Sequence, residues 1–323
     1  MSEESSSIGA IWPPQRASNN RLRGFYNEVV ESSTEINSFA TQFEHYRQEA
    51  VNHPEVDRLS IRAIASIGAI STLEYLGVSI EAGMPLRDET DLFVVYTGWN
   101  APDRTAGEEM LLAHRALIST ASQREHRGED SLARLNAQGF KPKIIDHKTP
   151  QDRKVNMVDR FTTLYSAFGY EREEVQQLLL SPSNTIAYIE DPDGVVSTAM
   201  AEKVTIPVEG YGDIRMAEIT EAFTMPTHRR MGLYESISGY LTERLVMDER
   251  DRLDVVYGES NLTMPGVVIA AHQNRRRFSY LDRDRLCVRQ PNFGILPQNF
   301  RIEDGEETRP YNDFALSYVT FES

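Results

Sequence analysis

Hydrophobic and polar positions along the chain follow patterns that predict both strands and helices. The run LFVVY at 92–96 is typical of a buried strand, whereas 107–122 and 155–168 carry apolar residues at the three-to-four spacing of a helix. The stretch RLSIRAIASIGAISTLEYLGV at 58–78 is apolar without a clean period, so helix and buried strand are both open for it. Further helices are predicted over 25–50, 130–140, 172–180 and 266–274, and further strands over 141–146, 184–191, 195–208, 214–224, 253–260 and 313–321.

The order of these elements predicts two α/β domains. The polar, proline-bearing segment HKTPQDRK at 147–154 is the expected boundary. Residues 155–321 run helix, helix, hairpin, strand, helix, strand, helix, strand, which indicates a mixed sheet with helices on both faces. We therefore expect a loosely ordered N-terminus over 1–24, an N-terminal α/β domain over 25–146, and a second domain over 152–323.

Composition narrows the class of protein. The chain has 323 residues, 40% of them hydrophobic, and a net charge of −15, which opposes attraction to nucleic acid or an anionic membrane and mildly favours an amine-bearing partner. Solubility alone explains the acidity equally well. The single cysteine, Cys287, excludes an intrachain disulfide and a thiolate-rich metal site. The sequence shows no signal peptide and no run of about 18 apolar residues, so we expect a cytoplasmic protein without a metal.

The stretch AEITEAFTMPTHRRMGLYESI at 217–237 joins a strand to a helix. Alternation places Glu218 on one face of the strand and Glu221 on the other, unless a bulge shifts the parity. The helix is expected to begin near Met231 or Gly232. Its apolar face has a spacing of four: Leu233, Ile237, Leu241 and Leu245.

The turn between this strand and helix has the features of an anion site. A helix start offers unsatisfied N–H groups and partial positive charge, Arg229 and Arg230 precede it, and Gly232 permits close approach to the backbone. An ordinary strand-to-helix turn with two solvated arginines is the alternative.

The segment THRRMGLY resembles the coenzyme A pyrophosphate loop of the GNAT superfamily of N-acetyltransferases, in which Arg or Gln, two residues, Gly, one residue, and Gly or Ala follow one another. Arg229 and Gly232 match the first and fourth positions, whereas Tyr234 stands where a small residue is usual. The resemblance covers about residues 152–280 and implies a GNAT-like mixed sheet. It also implies that acetyl-CoA is bound by the loop residues and by the main chain of the strand before them: Arg229, Arg230, Met231, Gly232, Leu233 and Tyr234, with Phe223 and Met225.

The same resemblance implies roles for individual side chains. Glu218 corresponds to a strand carboxylate that acts as base, and Glu221 to a position that acts as base or binds the amine; a structural ion pair is the alternative for either. Gln273 replaces the tyrosine that usually protonates the leaving thiolate, which makes the adjacent His272 a candidate donor, or else a surface histidine. Asn261 matches an asparagine used near the coenzyme, or simply caps a helix.

The function implied is transfer of an acetyl group from acetyl-CoA to a small-molecule amine. The segments STAMAE (197–202) and ILPQNFRI (295–302) are most similar to the β-lysine N-acetyltransferase subgroup, which suggests an amino acid or lysine-like acceptor. Alternatives are a degenerate module that only binds coenzyme A, and an acyltransferase that uses aminoacyl-tRNA. Residues 1–146 lack a phosphate-loop motif; a degenerate acetyltransferase lobe, a substrate cover and a dimerisation domain are all consistent with them.

Overall fold

The computed structural model describes residues 11–17, 21–53, 56, 58–86, 91–100, 108–124, 131–166, 169–247, 253–261, 265–274, 276–278, 287–291 and 311–320. Within the segment 1–24, which was predicted to be loosely ordered, residues 11–17 and 21–24 form strands. The rest of that segment and all of 295–302 lie outside the described residues. Within the described part, the strands form two sheets, and the helices cover their outer faces. The mixed α/β architecture predicted from the element order is therefore confirmed.

The first sheet has the order β1-β2-β3-β5-β4, with β2 and β3 parallel and the other neighbours antiparallel. Two helices accompany it. The elements are β1 Ile11–Ala17, β2 Arg21–Val30, α1 Ser33–Asn52, β3 Arg58–Ser66, α2 Ile67–Tyr75, β4 Ile80–Pro85 and β5 Leu92–Asn100.

Two local predictions in this half are decided by capping. The stretch 58–78 contains a strand and then a helix, because the Ser66 hydroxyl accepts a 3.2 Å hydrogen bond from the Ala69 N–H and starts α2 there. The helix predicted from residue 25 is wrong over 25–30: Tyr26 and Val30 are buried in β2, and the capping box of Ser32 and Glu35 starts α1 only at Ser33.

The second sheet has the order β11-β13-β10-β9-β8-β7-β6, and β12 also pairs with β13. The elements are α3 Glu108–Ser122, α4 Ser131–Ala137, β6 Lys143–Ile145, α5 Gln151–Tyr165, α6 Arg172–Leu180, β7 Asn184–Asp191, β8 Gly194–Val208, β9 Gly212–Thr224, α7 Leu233–Met247, β10 Val255–Asn261, α8 Pro265–Gln273, β11 Arg277–Phe278, β12 Cys287–Pro291 and β13 Tyr311–Thr320. The strand β6 pairs with β7 in this sheet although it precedes the predicted boundary at 147–154. The domain limits themselves stay a prediction.

Helices cover both faces of the second sheet. One face packs against α7 and α4 through a core that includes Leu135, Ala217 and Ile237, and the other packs against α5 and α6 around Phe161 and Tyr188. On this second face, the part of the sheet not covered by α5 and α6 lies against the first sheet. That shared core contains residues of both sheets: Ile64, Met84, Val94 and Tyr96, and Ile206, Met216, Val255 and Tyr257.

Candidate active site

The two parallel strands at the centre of the second sheet separate from each other. Strands β9 and β10 pair only from Met216 to Glu218 and from Val255 to Tyr257. Beyond these pairs β9 continues to Thr224 and β10 to Asn261, and β10 keeps its pairing with β13 on the other side. The described strands therefore leave an opening in the sheet that is narrow beside Tyr257 and widens toward the start of α7. We refer to it as the β9–β10 opening.

A bulge in β9 brings the two candidate carboxylates to the same face of the sheet. Thr198 of β8 opposes Phe223 and Met200 opposes Thr220, so one residue of β8 faces two of β9. Glu221 lies in this bulge with a left-handed φ of 43°. The bulge therefore answers the question that the sequence left open, and Glu221 lies on the same face of the strand as Glu218. The positive φ of a non-glycine residue is a strained conformation of the kind that clusters at functional sites.

Glu221 is partly buried and lies close to Tyr165 and Tyr170 of the α5–α6 region. Burial raises the pKa of this carboxyl above its ordinary value of 4.5, a hydrogen bond with Tyr170 opposes the rise, and the nearby charge of Glu218 adds to it. Burial and the charge of Glu221 in turn raise the pKa of both Tyr165 and Tyr170. A carboxyl group with a raised pKa is suited to accept a proton near neutral pH.

Glu218 has a different environment, because the first sheet supplies its partners. Tyr257 donates a 2.9 Å hydrogen bond to Glu218 Oε2, and Arg62 Nη1 donates a 2.9 Å hydrogen bond to the same tyrosine oxygen. Arg62 Nη2 also lies 3.8 Å from Glu218 Oε2. The guanidinium carbon lies 4.7 Å from the ring centroid of Tyr96 and 5.5 Å from that of Tyr257. These contacts give Glu218 a cationic neighbour and a hydrogen-bond donor, both on the side of the first sheet.

The turn after β9 has the shape expected of an anion site. Residues Pro226–His228 form a 3-10 turn, and His228 fixes it through a 3.3 Å contact with Asp191 Oδ2. Arg230 and Gly232 then adopt left-handed φ angles of 65° and 73°. The Gly232 carbonyl accepts the first α7 hydrogen bond, from the Ser236 N–H, so the helix begins where the sequence predicted.

The side chains of this turn differ in exposure. Arg230 and Met231 are exposed and Tyr234 is partly buried, whereas Leu233 is buried against the sheet. Partial burial lowers the pKa of Arg229, whose guanidinium nevertheless stays charged in the neutral range. The first N–H groups of α7 have no partner within the helix. The turn thus combines positive charge, helix polarity and a backbone open to close approach.

The main chain of β9 beside the opening has both occupied and outward-facing groups. The Met225 N–H donates a 2.8 Å bond to the Val196 carbonyl, and the Phe223 carbonyl accepts from the Ser197 hydroxyl. Alternate residues of a strand direct these groups to opposite edges. The main-chain N–H and C=O groups of Ala222 and Thr224 therefore point into the β9–β10 opening. The sequence predicted this role for Phe223 and Met225.

The remaining predicted residues lie apart from the carboxylates. His272 Nε2 lies 3.1 Å from the Arg124 carbonyl at the end of α3, and Gln273 is buried. Asn261 ends β10, and its side chain is outside the described ones. The structure brings together Glu218 and Glu221 on the one hand and Arg229 to Tyr234 on the other, at the two ends of the same opening.

The described residues contain neither a metal-binding cluster nor a membrane-spanning helix. No group of three or more His, Cys, Asp or Glu side chains among them is arranged to hold a metal ion. None of the helices in that part of the chain is long and apolar enough to cross a membrane.

Solved structures similar to this chain include several acetyltransferases. Arabidopsis thaliana NAA60, solved in complex with acetyl-CoA, is 13% identical, with 56% of this chain and 98% of that chain covered at a TM-score of 0.39. An N-acetyltransferase from Staphylococcus aureus Mu50 is 10% identical over 56% of this chain and 97% of its own, at 0.35. An aminoglycoside acetyltransferase, HMB0005 from an uncultured soil metagenomic sample, is 14% identical over 38% and 80%, at 0.29.

No protein-family model and no curated protein matches the sequence. Because the structural identities and TM-scores are this low, the functional assignment depends on the residues of the site itself.

Proposed function

We propose that the protein is an N-acyltransferase that moves an acyl group, acetyl in the simplest case, from coenzyme A to the amine of a small molecule. The observation that carries the proposal is the β9–β10 opening, which has a cationic helix start at one end and a partly buried carboxyl of raised pKa, that of Glu221, toward the other. The resemblance of THRRMGLY to a coenzyme A pyrophosphate loop supports the same assignment.

The residues present fit the phosphate end of such a coenzyme. Arg229 and Arg230 supply positive charge, and the left-handed turn at Gly232 leaves the first N–H groups of α7 facing outward. Along the opening, the main-chain groups of Ala222 and Thr224 are suited to pair with the amides of the pantetheine arm. Tyr234 is partly buried and interacts electrostatically with Arg276, so its side chain leaves part of the turn free for a ligand.

The chemistry requires a neutral amine, and Glu221 is the residue best suited to produce it. The thioester supplies an electrophilic carbonyl carbon; the amine nitrogen forms a bond to this carbon and the carbon–sulfur bond breaks. Glu221 accepts the proton that the attacking nitrogen loses, and the thiolate leaves as the free thiol after it takes up a proton. Glu218, which accepts a hydrogen bond from Tyr257 and lies 3.8 Å from Arg62, is suited to bind the ammonium form of the acceptor beforehand.

An amino acid or a lysine-like metabolite is our preferred acceptor. A zwitterion suits a site in which Glu218 and Arg62 lie side by side, with a carboxylate and a guanidinium both partly accessible.

Acetyl-CoA with a panel of amines, including lysine and β-lysine, tests the proposal. We expect acetyl-CoA to raise the thermal midpoint, and free thiol to appear with at least one amine. Stabilisation without thiol release on any amine would identify a module that only binds coenzyme A, and absence of stabilisation would contradict the coenzyme site.

A further inference from the structure

Arg276 is a buried cation between α7 and β10. It is 6% exposed, and its Nε has no hydrogen-bond partner among the described residues. Nη2 lies 3.3 Å from the Thr242 hydroxyl, and Tyr234 is close enough to interact with the guanidinium electrostatically. No acidic side chain among the described residues pairs with it. A buried charge without a counter-ion is costly, so a ligand that supplies an anion would be bound strongly there.

The guanidinium lies at the narrow end of the β9–β10 opening. A Cβ placed on Gly258 would lie 3.0 Å from Arg276 Nη1 and 2.9 Å from the Ile219 carbonyl oxygen. Gly258 and Ile219 directly follow Tyr257 and Glu218, the last residues that pair β10 with β9. The absence of a side chain at 258 thus leaves the guanidinium beside the point at which the two strands part.

The direction of the coenzyme follows from the proposed function, on which this inference rests. The phosphates lie at one end of an acyl-CoA molecule and the acyl group at the other. If the phosphates bind at the start of α7, where the opening is wide, the acyl group points toward the narrow end. The acyl chain then ends beside Gly258 and Arg276.

We infer that the acyl donor carries a carboxylate at the end of its acyl chain, and that Arg276 binds this carboxylate. Acyl groups of short dicarboxylic acids, such as succinyl, belong to this class. The Thr242 hydroxyl donates to the Ser238 carbonyl and accepts from Arg276 Nη2, so it positions the guanidinium that receives the carboxylate. A neutral acyl chain of equal length leaves the guanidinium buried without a counter-ion and therefore binds less tightly.

Succinyl-CoA and butyryl-CoA form a matched pair for the test, because both acyl chains have the same number of carbons and only one ends in a carboxylate. Calorimetric titration of the wild-type chain should give a dissociation constant at least about tenfold lower for succinyl-CoA. Arg276→Gln should remove this preference while it retains binding of coenzyme A itself. Arg244→Gln changes an exposed arginine of α7 and should leave the preference unchanged.

Each outcome has a distinct meaning. Equal affinity of the wild-type chain for both thioesters would overturn the inference and leave the coenzyme site intact. Failure to bind coenzyme A or any thioester would contradict the proposed function as well. If Arg276→Gln does not fold, Arg276→Lys tests the same point. This variant keeps the positive charge and should therefore keep the preference for succinyl-CoA. Loss of the preference in a folded Arg276→Lys chain that still binds coenzyme A would count against a simple ion pair.

Discussion

Arg62 of the first sheet donates a hydrogen bond to Tyr257 of the second, at 2.9 Å, and the same tyrosine hydroxyl donates to Glu218. The interface between the sheets therefore reaches the carboxylate of the candidate site. The first sheet contributes a charged side chain to that site and is more than a cover for it.

Replacement of Arg62 by Met should destabilise the fold, because it removes a hydrogen bond and leaves Glu218 with one partner fewer at a partly buried position. We expect a loss of roughly 1–3 kcal/mol in the free energy of unfolding, measured with urea. Arg215→Met, an exposed arginine on β9, is the control and should change it by less than about 0.5 kcal/mol. In combination with Glu218→Gln the effects should be non-additive; simple additivity would show that the pair is not energetically coupled.

Glu221→Gln should lower turnover strongly without weakening coenzyme binding. Removal of a general base typically costs about 10²–10⁴ in rate. The sequence favoured Glu218 as base, whereas the environments of the two carboxylates favour Glu221, since the pKa of Glu221 is raised and Glu218 already accepts a hydrogen bond from Tyr257 beside Arg62. Thiol-release rates of both variants at saturating amine decide between them, and a larger loss for Glu218→Gln would restore the original assignment.

The stability of the fold should also report on Glu221. Its folded-state pKa is raised above 4.5 by burial, so the neutral form stabilises the fold at low pH and this contribution is lost as pH rises through the folded pKa. Glu221→Gln should therefore gain stability relative to wild type as pH rises from about 4.5 toward neutral. Urea unfolding across this range, with the exposed Glu173→Gln as control, measures the trend. A difference between variant and wild type that does not change with pH would contradict a raised pKa.

Gly232→Ala should weaken coenzyme binding through backbone strain and reduced access. A Cβ at this position meets no atom within 4 Å, so the cost arises from the left-handed φ of 73°. That conformation costs a non-glycine residue roughly 1–2 kcal/mol. Gly266→Ala in α8, where a Cβ also meets nothing within 4 Å and φ is not positive, is the matched control. Thermal unfolding and coenzyme titration should change only for Gly232→Ala.

Local patterns predicted most of the elements because each depends on nearby residues. The strand-to-helix turn at Gly232 and the hairpin of β7 and β8 follow from spacing and turn residues. The stretch 58–78 resisted assignment because it contains two elements, separated only by the cap at Ser66. A periodic pattern averaged over such a stretch matches neither period.

The features that the sequence could not show depend on distant contacts. Arg62 and Tyr257 are 195 positions apart, and no local signal relates them. Arg276 lies in a run of three arginines, where no local pattern indicates burial, but it is buried between α7 and β10. Tyr170 and Glu221 are far apart in the sequence, and they interact beside the bulge in β9.

Calorimetric titration of coenzyme A into the wild-type chain and into Arg229→Gln tests whether the start of α7 binds the coenzyme. We expect saturable binding at one site per chain, weakened roughly tenfold in the variant because a charged contact with phosphate is lost. Absence of binding to the wild-type chain, or equal affinity of the two proteins, would contradict a coenzyme site at the start of α7.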